Sequence, residues 1–183
     1  MSEEKNDHRA SFQLIRGGRA GSEDQGAIQV VMASPEQQPF SVEAVIHEED
    51  TYLVLSSEPR PEQTRPEHPI RMMTALLEVE PKPLGSIVVR PGLPLKILAV
   101  VHDLQREPSW KEEWVIAALA GALEEVERRE LRSVALEMLG AVHGKLERPR
   151  FLQLLRRSLQ QADAKSLERV WLIPPDRPTL ESI

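Results

Sequence analysis

Short apolar runs rich in β-branched residues alternate with polar stretches through most of this chain. In the first half, "AIQVVMA", "SVEAVIHE" and "TYLVLSS" are typical of strands, and order is expected to begin near Ala27. The acidic residues between the second and third runs permit a hairpin there. Residues 58–69, "EPRPEQTRPEHP", predict a loop because each of the four prolines fixes φ and donates no amide. The run that follows, "IRMMTALLEVE", predicts a short helix.

The second half shows a clearer alternation of strands and helices. Strands are predicted at "GSIVVR" and "LKILAVVHDL", as antiparallel neighbours joined by "PGLP", and then at "SVALEML" and "LERVWLI". A long helix is predicted over "SWKEEWVIAALAGALEEVERREL", with Ser109 as its N-cap and Glu112 closing a capping box. A second helix is expected to carry Pro149 in its first turn. This order favours an α/β sandwich with a largely parallel or mixed sheet.

The two ends of the chain differ in composition from its middle. Residues 1–26 are charged and glycine-rich, so burial cannot offset the entropy of ordering them, and we predict a flexible N-terminal arm. One α/β domain is expected over residues 27–175, since a chain of 183 residues with 40% apolar content can bury one substantial core. Residues 176–183 are expected to form a C-terminal tail.

Composition narrows the classes of function. The formal net charge of -6 disfavours a general nucleic-acid binder, although a local basic patch could still hold an anion. The absence of cysteine excludes disulfides and thiolate chemistry, and the five histidines lack the spacing of metal ligands, so neither a metal nor a cofactor is predicted. The opening residues do not form a secretory signal, and no run is apolar for the roughly 18 residues of a membrane helix. We therefore expect a soluble cytoplasmic protein that binds no membrane.

A glycine-bounded loop carries the principal functional hypothesis. In "SVALEMLGAVHG", residues 133–144, a predicted strand runs into a loop whose backbone amides could hold a phosphate, helped by downstream cations that include Arg148 and Arg150. The alternative is a tight exit from the sheet, in which the glycines serve backbone conformation alone. A second hypothesis concerns the end of the preceding strand, where sites in α/β sheets gather. The candidate ligand-binding residues are Gly140, Ala141, Val142, His143, Gly144, Lys145, His102 and Asp103.

Three other features have a functional and a structural interpretation. The run "HEED", residues 47–50, could be a metal or base cluster, but such runs more often form a solvated turn. Trp110 and Trp114 could stack on a base or contact a partner, whereas core packing explains at least one of them more simply. Ser133 lacks the glycine-flanked elbow of a hydrolase nucleophile, so we interpret it as a strand residue. No residue is assigned a catalytic role.

The chain resembles a macro domain, an α/β module that binds ADP-ribose and related nucleotides, most strongly from residue 85 onward. "GSIVVRPG" is similar to the family's glycine, strand and threonine-proline-glycine turn, with Arg90 in place of threonine. "LAVVHD" is similar to the strand that follows in the family. "SVALEMLGAVHG" is similar to a later strand of the family and the glycine-rich loop after it. The resemblance spans residues 27–174 and implies a three-layer α/β/α sandwich with a mixed sheet. The macro-like amino-terminal domain of leucine aminopeptidases, a structural module, has a similar element order.

The positions that carry ligand chemistry in macro domains differ here. "MASPEQQ" contains no aspartate where the family contacts adenine, "HEEDTY" replaces an asparagine-rich strand end, and the proline-rich loop replaces a run of glycines. "GAVHG" is one residue shorter than the family's phosphate loop, with His143 near its aromatic position. The resemblance therefore implies a divergent module.

Two functions from different classes follow. The first is a non-catalytic module that binds an ADP-ribose-type nucleotide or another phosphate-bearing small molecule at the loop after residues 133–139. The alternative is a ligand-free interaction or structural domain, including a homodimer, which the missing family contacts and the paired tryptophans favour. Hydrolysis of ADP-ribosyl groups, with His143 and His102 as its candidate residues, is a third hypothesis.

Overall fold

A seven-stranded sheet organises the residues that this computed structural model describes, namely 11–16, 27–55 and 80–175. Two helices and one short 3-10 turn accompany it. The strands are β1 (Ser11–Arg16), β2 (Ala27–Met32), β3 (Ala44–Asp50), β4 (Ile87–Arg90), β5 (Leu95–His102), β6 (Ser133–Glu137) and β7 (Arg169–Ile173). The helices are α1 (Glu112–Arg128) and α2 (Arg148–Gln161), and the 3-10 turn is Pro35–Gln37.

The sheet is mixed, as predicted. Its strand order is β1-β2-β7-β6-β3-β5-β4, in which the pairs from β2 to β5 are parallel and the two edge strands, β1 and β4, are antiparallel to their neighbours. The antiparallel pairing predicted for the runs around β4 and β5 is confirmed, with Ile87 opposite Ala99. Because β3 lies between β6 and β5, the carboxyl ends of these three parallel strands meet at one edge.

The main core lies between one face of the sheet and both helices. Alternate strand residues point to this face because side chains alternate along a strand, and Ile46 and Ile97 thereby join one buried cluster with Leu119 of α1 and Phe151 of α2. The described helices thus form one layer. The helix predicted over residues 70–80 lies, except for its last residue, outside the described part of the chain. None of the described helices is long and apolar enough to cross a membrane.

Local differences from the predictions have physical causes. The helix α1 begins at Glu112, with Lys111 as its N-cap and no side-chain cap, so the capping box predicted at Ser109 is wrong. Ser109 instead lies beside the ring of His102. The prediction for Pro149 is confirmed, since a proline occupies the first turn of α2.

The predicted hairpin does not form within residues 51–55. These residues make a turn after β3 rather than a second strand, with Leu53 in the left-handed region at φ 59°. Residues 11–16, which fall in the predicted flexible arm, form the edge strand β1. The remainder of that arm and the tail 176–183 lie outside the described residues, and the predicted domain bounds stay a prediction.

Phe151 anchors α2 to the core and provides a test of the packing. It is fully buried, so Phe151→Ala should lower the free energy of unfolding by about 3–5 kcal/mol through lost burial and a residual cavity. Arg156→Ala, at an exposed position of the same helix, should change it by no more than about 0.5 kcal/mol. Urea denaturation followed by circular dichroism measures both, and equal effects would contradict the described packing of α2.

Candidate functional site

A buried carboxylate occupies the loop that the sequence presents as an anion site. Glu48, near the end of β3, has a side chain with no exposed area. Its Oε2 accepts a hydrogen bond from the N–H of Gly140 at 2.5 Å, and its Oε1 accepts one from the N–H of His143 at 2.8 Å. The ring Nε2 of His102 also contacts Oε1. A negative group therefore does face these amides, and it belongs to the chain itself.

His102 is buried between two partners at the end of β5. Its Nε2 faces the carboxylate of Glu48, and its Nδ1 lies 3.3 Å from the hydroxyl oxygen of Ser109. Asp103, the next residue, accepts the N–H of Gln105 and pairs with Arg106 at 2.9 Å. Both candidate residues from this strand end are thus satisfied by neighbouring chain, and Asp103 stabilises a local turn.

The two glycines of the loop have steric reasons to be glycine. Gly140 adopts φ +77°, which disfavours any side chain, and Trp110 and Val115 pack against it. A Cβ at Gly144 would lie 2.2 Å from the carbonyl oxygen of Gly140 and 2.7 Å from Trp110. This crowding favours the interpretation of the loop as a tight exit from the sheet, and it gives Trp110 a packing role.

The acidic run that contains Glu48 is buried, so its prediction as a solvated turn is wrong. Asp50 accepts the N–H groups of Tyr52 at 2.6 Å and Val54 at 2.9 Å, and Glu49 accepts that of Leu55 at 2.7 Å. Buried carboxylates require such donors, because an unpaired buried charge costs several kcal/mol. Glu49 and Asp50 therefore close the turn that follows β3.

A solvent-open cleft of about 170 Å³ lies beside the loop. Glu137, at the end of β6, links it to the interior: its Oε1 is 2.9 Å from the Nδ1 of His47, and its Oε2 accepts the N–H of Glu48 at 2.8 Å. Both side chains are about one-quarter exposed, at 28% for His47 and 25% for Glu137. The cleft is lined by His47, Glu48, Leu55, Arg90, Lys96, Leu98, Glu137, Val142 and His143.

The structure brings some of the predicted ligand residues to this cleft and places others elsewhere. Val142 and His143 line it. Arg150 instead makes a bidentate pair with Glu112, with both N–O distances at 2.8 Å, which joins the starts of the two helices. The hydrogen bond from Arg150 lowers the pKa of Glu112 below its usual range. The assignment of ligand-binding residues remains a prediction.

Sequence reasoning missed His47, Glu137, Arg90 and Lys96 as members of one cleft. They lie on four different strands, so no spacing along the chain reports their proximity. Their proximity follows only from the strand pairing, which sets Arg90 opposite Lys96 and His47 beside Leu98. In the described part of the chain, no group of three or more acidic or histidine side chains has a geometry that could hold a metal ion.

Comparison with known proteins shows the fold. No family model matches the chain, and no curated protein matches it in sequence. Among solved structures, the macrodomain of Thermus aquaticus DarG is similar at 21% identity and a TM-score of 0.55, over 80% of this chain and 98% of that one. A glycine-to-valine variant of the Oceanobacillus iheyensis macrodomain with ADPR is similar at 15% identity and a TM-score of 0.60. That match covers 91% of this chain and 90% of the macrodomain. The same macrodomain with ADP is similar at 15% identity and a TM-score of 0.56, over 92% of this chain and 90% of that one.

The chain therefore has a macrodomain-like α/β fold. Its order of elements along the chain, its mixed sheet and the long helix after β5 agree with the resemblance seen in the sequence.

Removal of the Glu48 carboxylate should destabilise the protein. Glu48→Ala leaves the buried ring of His102 and the amides of Gly140 and His143 without their acceptor, and we expect a loss of about 3–5 kcal/mol in the free energy of unfolding. Added formate should restore part of it by taking the vacated position. The control is Glu124→Ala, at an exposed position of α1, which should show neither the loss nor the formate effect. Wild-type stability in Glu48→Ala would contradict the described contacts.

Two glycine substitutions should act in opposite directions. Gly144→Ala forces the loop apart and should cost about 1–3 kcal/mol. Gly121→Ala, inside α1, places its Cβ 3.6 Å from the side chain of Ile87, an ordinary contact, and should gain about 0.5–1 kcal/mol from helix propensity. Thermal and urea unfolding of the two variants measure the signs. A neutral Gly144→Ala would show that the loop does not pack as described.

Proposed function

We propose that this chain is a macrodomain-fold module that binds the phosphate group of a nucleotide of the ADP or ADP-ribose type in the cleft beside residues 140–145. The observation that carries the proposal is the composition of that cleft. Arg90, Lys96, His47 and His143 all line it, and it is open to solvent. Strand pairing sets Arg90 opposite Lys96 and His47 beside Leu98, so the cleft lies against one face of the sheet.

Part of the loop backbone has no hydrogen-bond partner among the described residues. The N–H groups of Gly140 and His143 are engaged by Glu48, whereas those of Val142, Gly144 and Lys145 make no hydrogen bond within the described residues. Of these three residues, Val142 lines the cleft, so a phosphate that enters would meet Val142 together with Arg90. Charge-assisted hydrogen bonds of this kind contribute about 1.5–3 kcal/mol each when they are desolvated.

The size of the cleft limits how much of a ligand it encloses. Pockets that enclose a drug-sized ligand measure about 300–1,000 Å³. The cleft here has about 170 Å³, so it admits one phosphate-sized group. The nucleoside part of a ligand would lie outside it. We therefore expect weaker binding than in a site that encloses the whole ligand.

A ligand-free interaction domain is the second candidate function, and the position of Glu48 favours it. Two amides of the family-like loop are satisfied internally, so the loop has a structural role that needs no ligand. The phosphate-binding function requires that the cleft accept an anion from solution, whereas the ligand-free interaction domain does not.

Calorimetric titration separates the two candidates. We expect heat and a thermal shift with ADP, ADP-ribose and inorganic phosphate, and a loss of about tenfold in affinity for Arg90→Gln, which removes one charge-assisted contact of about 1.5 kcal/mol. Arg156→Gln removes the same charge from an exposed position of α2, a helix that does not line the cleft, and should retain wild-type affinity.

The absence of heat and of a thermal shift at millimolar ligand would reject the binding function. Sedimentation of the same samples over a range of concentrations then tests the alternative, because a self-associating interaction domain shows a concentration-dependent mass.

A further inference from the structure

Among the residues that the structure describes, the pair formed by His47 and Glu137 is the histidine–carboxylate contact whose side chains are partly exposed at the cleft. The Nδ1 of His47 lies 2.9 Å from Oε1 of Glu137, while the second oxygen of Glu137 accepts the N–H of Glu48. The other such pair among the described residues, His102 with Glu48, has no exposed side-chain area. Only the first pair can therefore exchange a proton with solvent or a ligand without local opening.

The contact fixes which ring nitrogen of His47 carries a proton. A carboxylate only accepts hydrogen bonds, so the Nδ1 of His47 is the protonated nitrogen that donates to Glu137. In the neutral ring the Nε2 then holds a lone pair, and it makes no hydrogen bond within the described residues. A lone pair repels the oxygen of a phosphate. For Nε2 to donate to such an oxygen, it must first take up a proton.

The charges around the cleft decide whether that uptake is favourable. Glu137 on β6 and Glu48 on β3 are the carboxylates that line the cleft with His47, and Glu137 touches the ring directly. Arg90 on β4 and Lys96 on β5 line it as well and disfavour a further positive charge, and His143 in the loop is a second imidazole there. A phosphate dianion in the cleft reverses this balance, because it adds two negative charges among the cations.

We propose that the cleft binds a terminal phosphate group, as in a phosphomonoester, and that His47 takes up one proton from solution when the phosphate enters. The proton goes to Nε2, the N–H on Nδ1 remains with Glu137, and no covalent bond forms or breaks. A cleft of about 170 Å³ has room for one phosphate group. A terminal phosphate has three unsubstituted oxygens, all of which can accept hydrogen bonds from the residues around it. A diphosphate substituted at both ends, as in ADP-ribose, presents no such group, so among the proposed nucleotides ADP should bind more tightly than ADP-ribose. This inference rests on the proposed anion-binding function.

Titration calorimetry in two buffers of different protonation enthalpy measures the uptake. With ribose 5-phosphate at pH 8, where the ligand itself is already the dianion, we expect wild-type protein to bind with net proton uptake. His47→Gln should abolish the uptake and Glu137→Gln should reduce it, since Glu137 stabilises the charged ring. His143→Gln is the matched control, because it removes a second histidine from the same cleft and should preserve the uptake.

The outcomes distinguish this inference from the function on which it rests. Phosphate binding without proton uptake, or with uptake that follows His143, would overturn the role of His47 and leave the anion site in place. Tighter binding of ADP-ribose than of ADP and ribose 5-phosphate would overturn the terminal-phosphate class. No binding of any of them would reject both proposals. If His47→Gln folds poorly, nitrogen NMR of wild-type protein with and without phosphate provides a second measurement. It reports whether the Nε2 of the His47 ring gains a proton when phosphate binds.

Discussion

The need of one buried carboxylate for hydrogen-bond donors determines the arrangement of this edge of the sheet. Glu48 leaves water completely, and its charge is tolerated only because two amides and an imidazole meet it. Those donors come from β5 and from the loop after β6, so the carboxylate ties three parallel strands together at their ends. The path of the loop, the orientation of His102 and the positive φ of Gly140 are consistent with this single requirement.

The same backbone geometry that suits a phosphate suits a side-chain carboxylate, and this chain uses it for the latter. Amides that converge on one negative group form an anion site whatever the source of the charge. The macrodomains to which the chain is similar include complexes with ADPR and ADP, but at 15% identity they show a shared fold and no shared site. The proposed phosphate site therefore uses other groups, which include Arg90 on β4 and Lys96 on β5.

The fold could be predicted further from the sequence than the site could. Apolar runs with β-branched residues report strands through local physics, and Pro149 reports a helix start for the same reason. The burial of Glu48 has no local signal, because acidic runs usually face water and its partners lie 92 and 95 residues away. Ser109 shows the same limit: a helix cap is the local expectation, but tertiary contact with His102 takes precedence.

The cleft and the filled loop form one connected unit. The side chain of Glu48 holds the loop, while its backbone N–H donates to Glu137, which in turn orients His47 at the cleft. A ligand charge that changes the protonation of His47 would thus act within two hydrogen bonds of the carboxylate on which the edge depends. Because Glu137 accepts from both sides, it cannot turn toward a ligand without releasing one of its two donors. Proton uptake at Nε2 of His47, as proposed, would leave both hydrogen bonds of Glu137 in place.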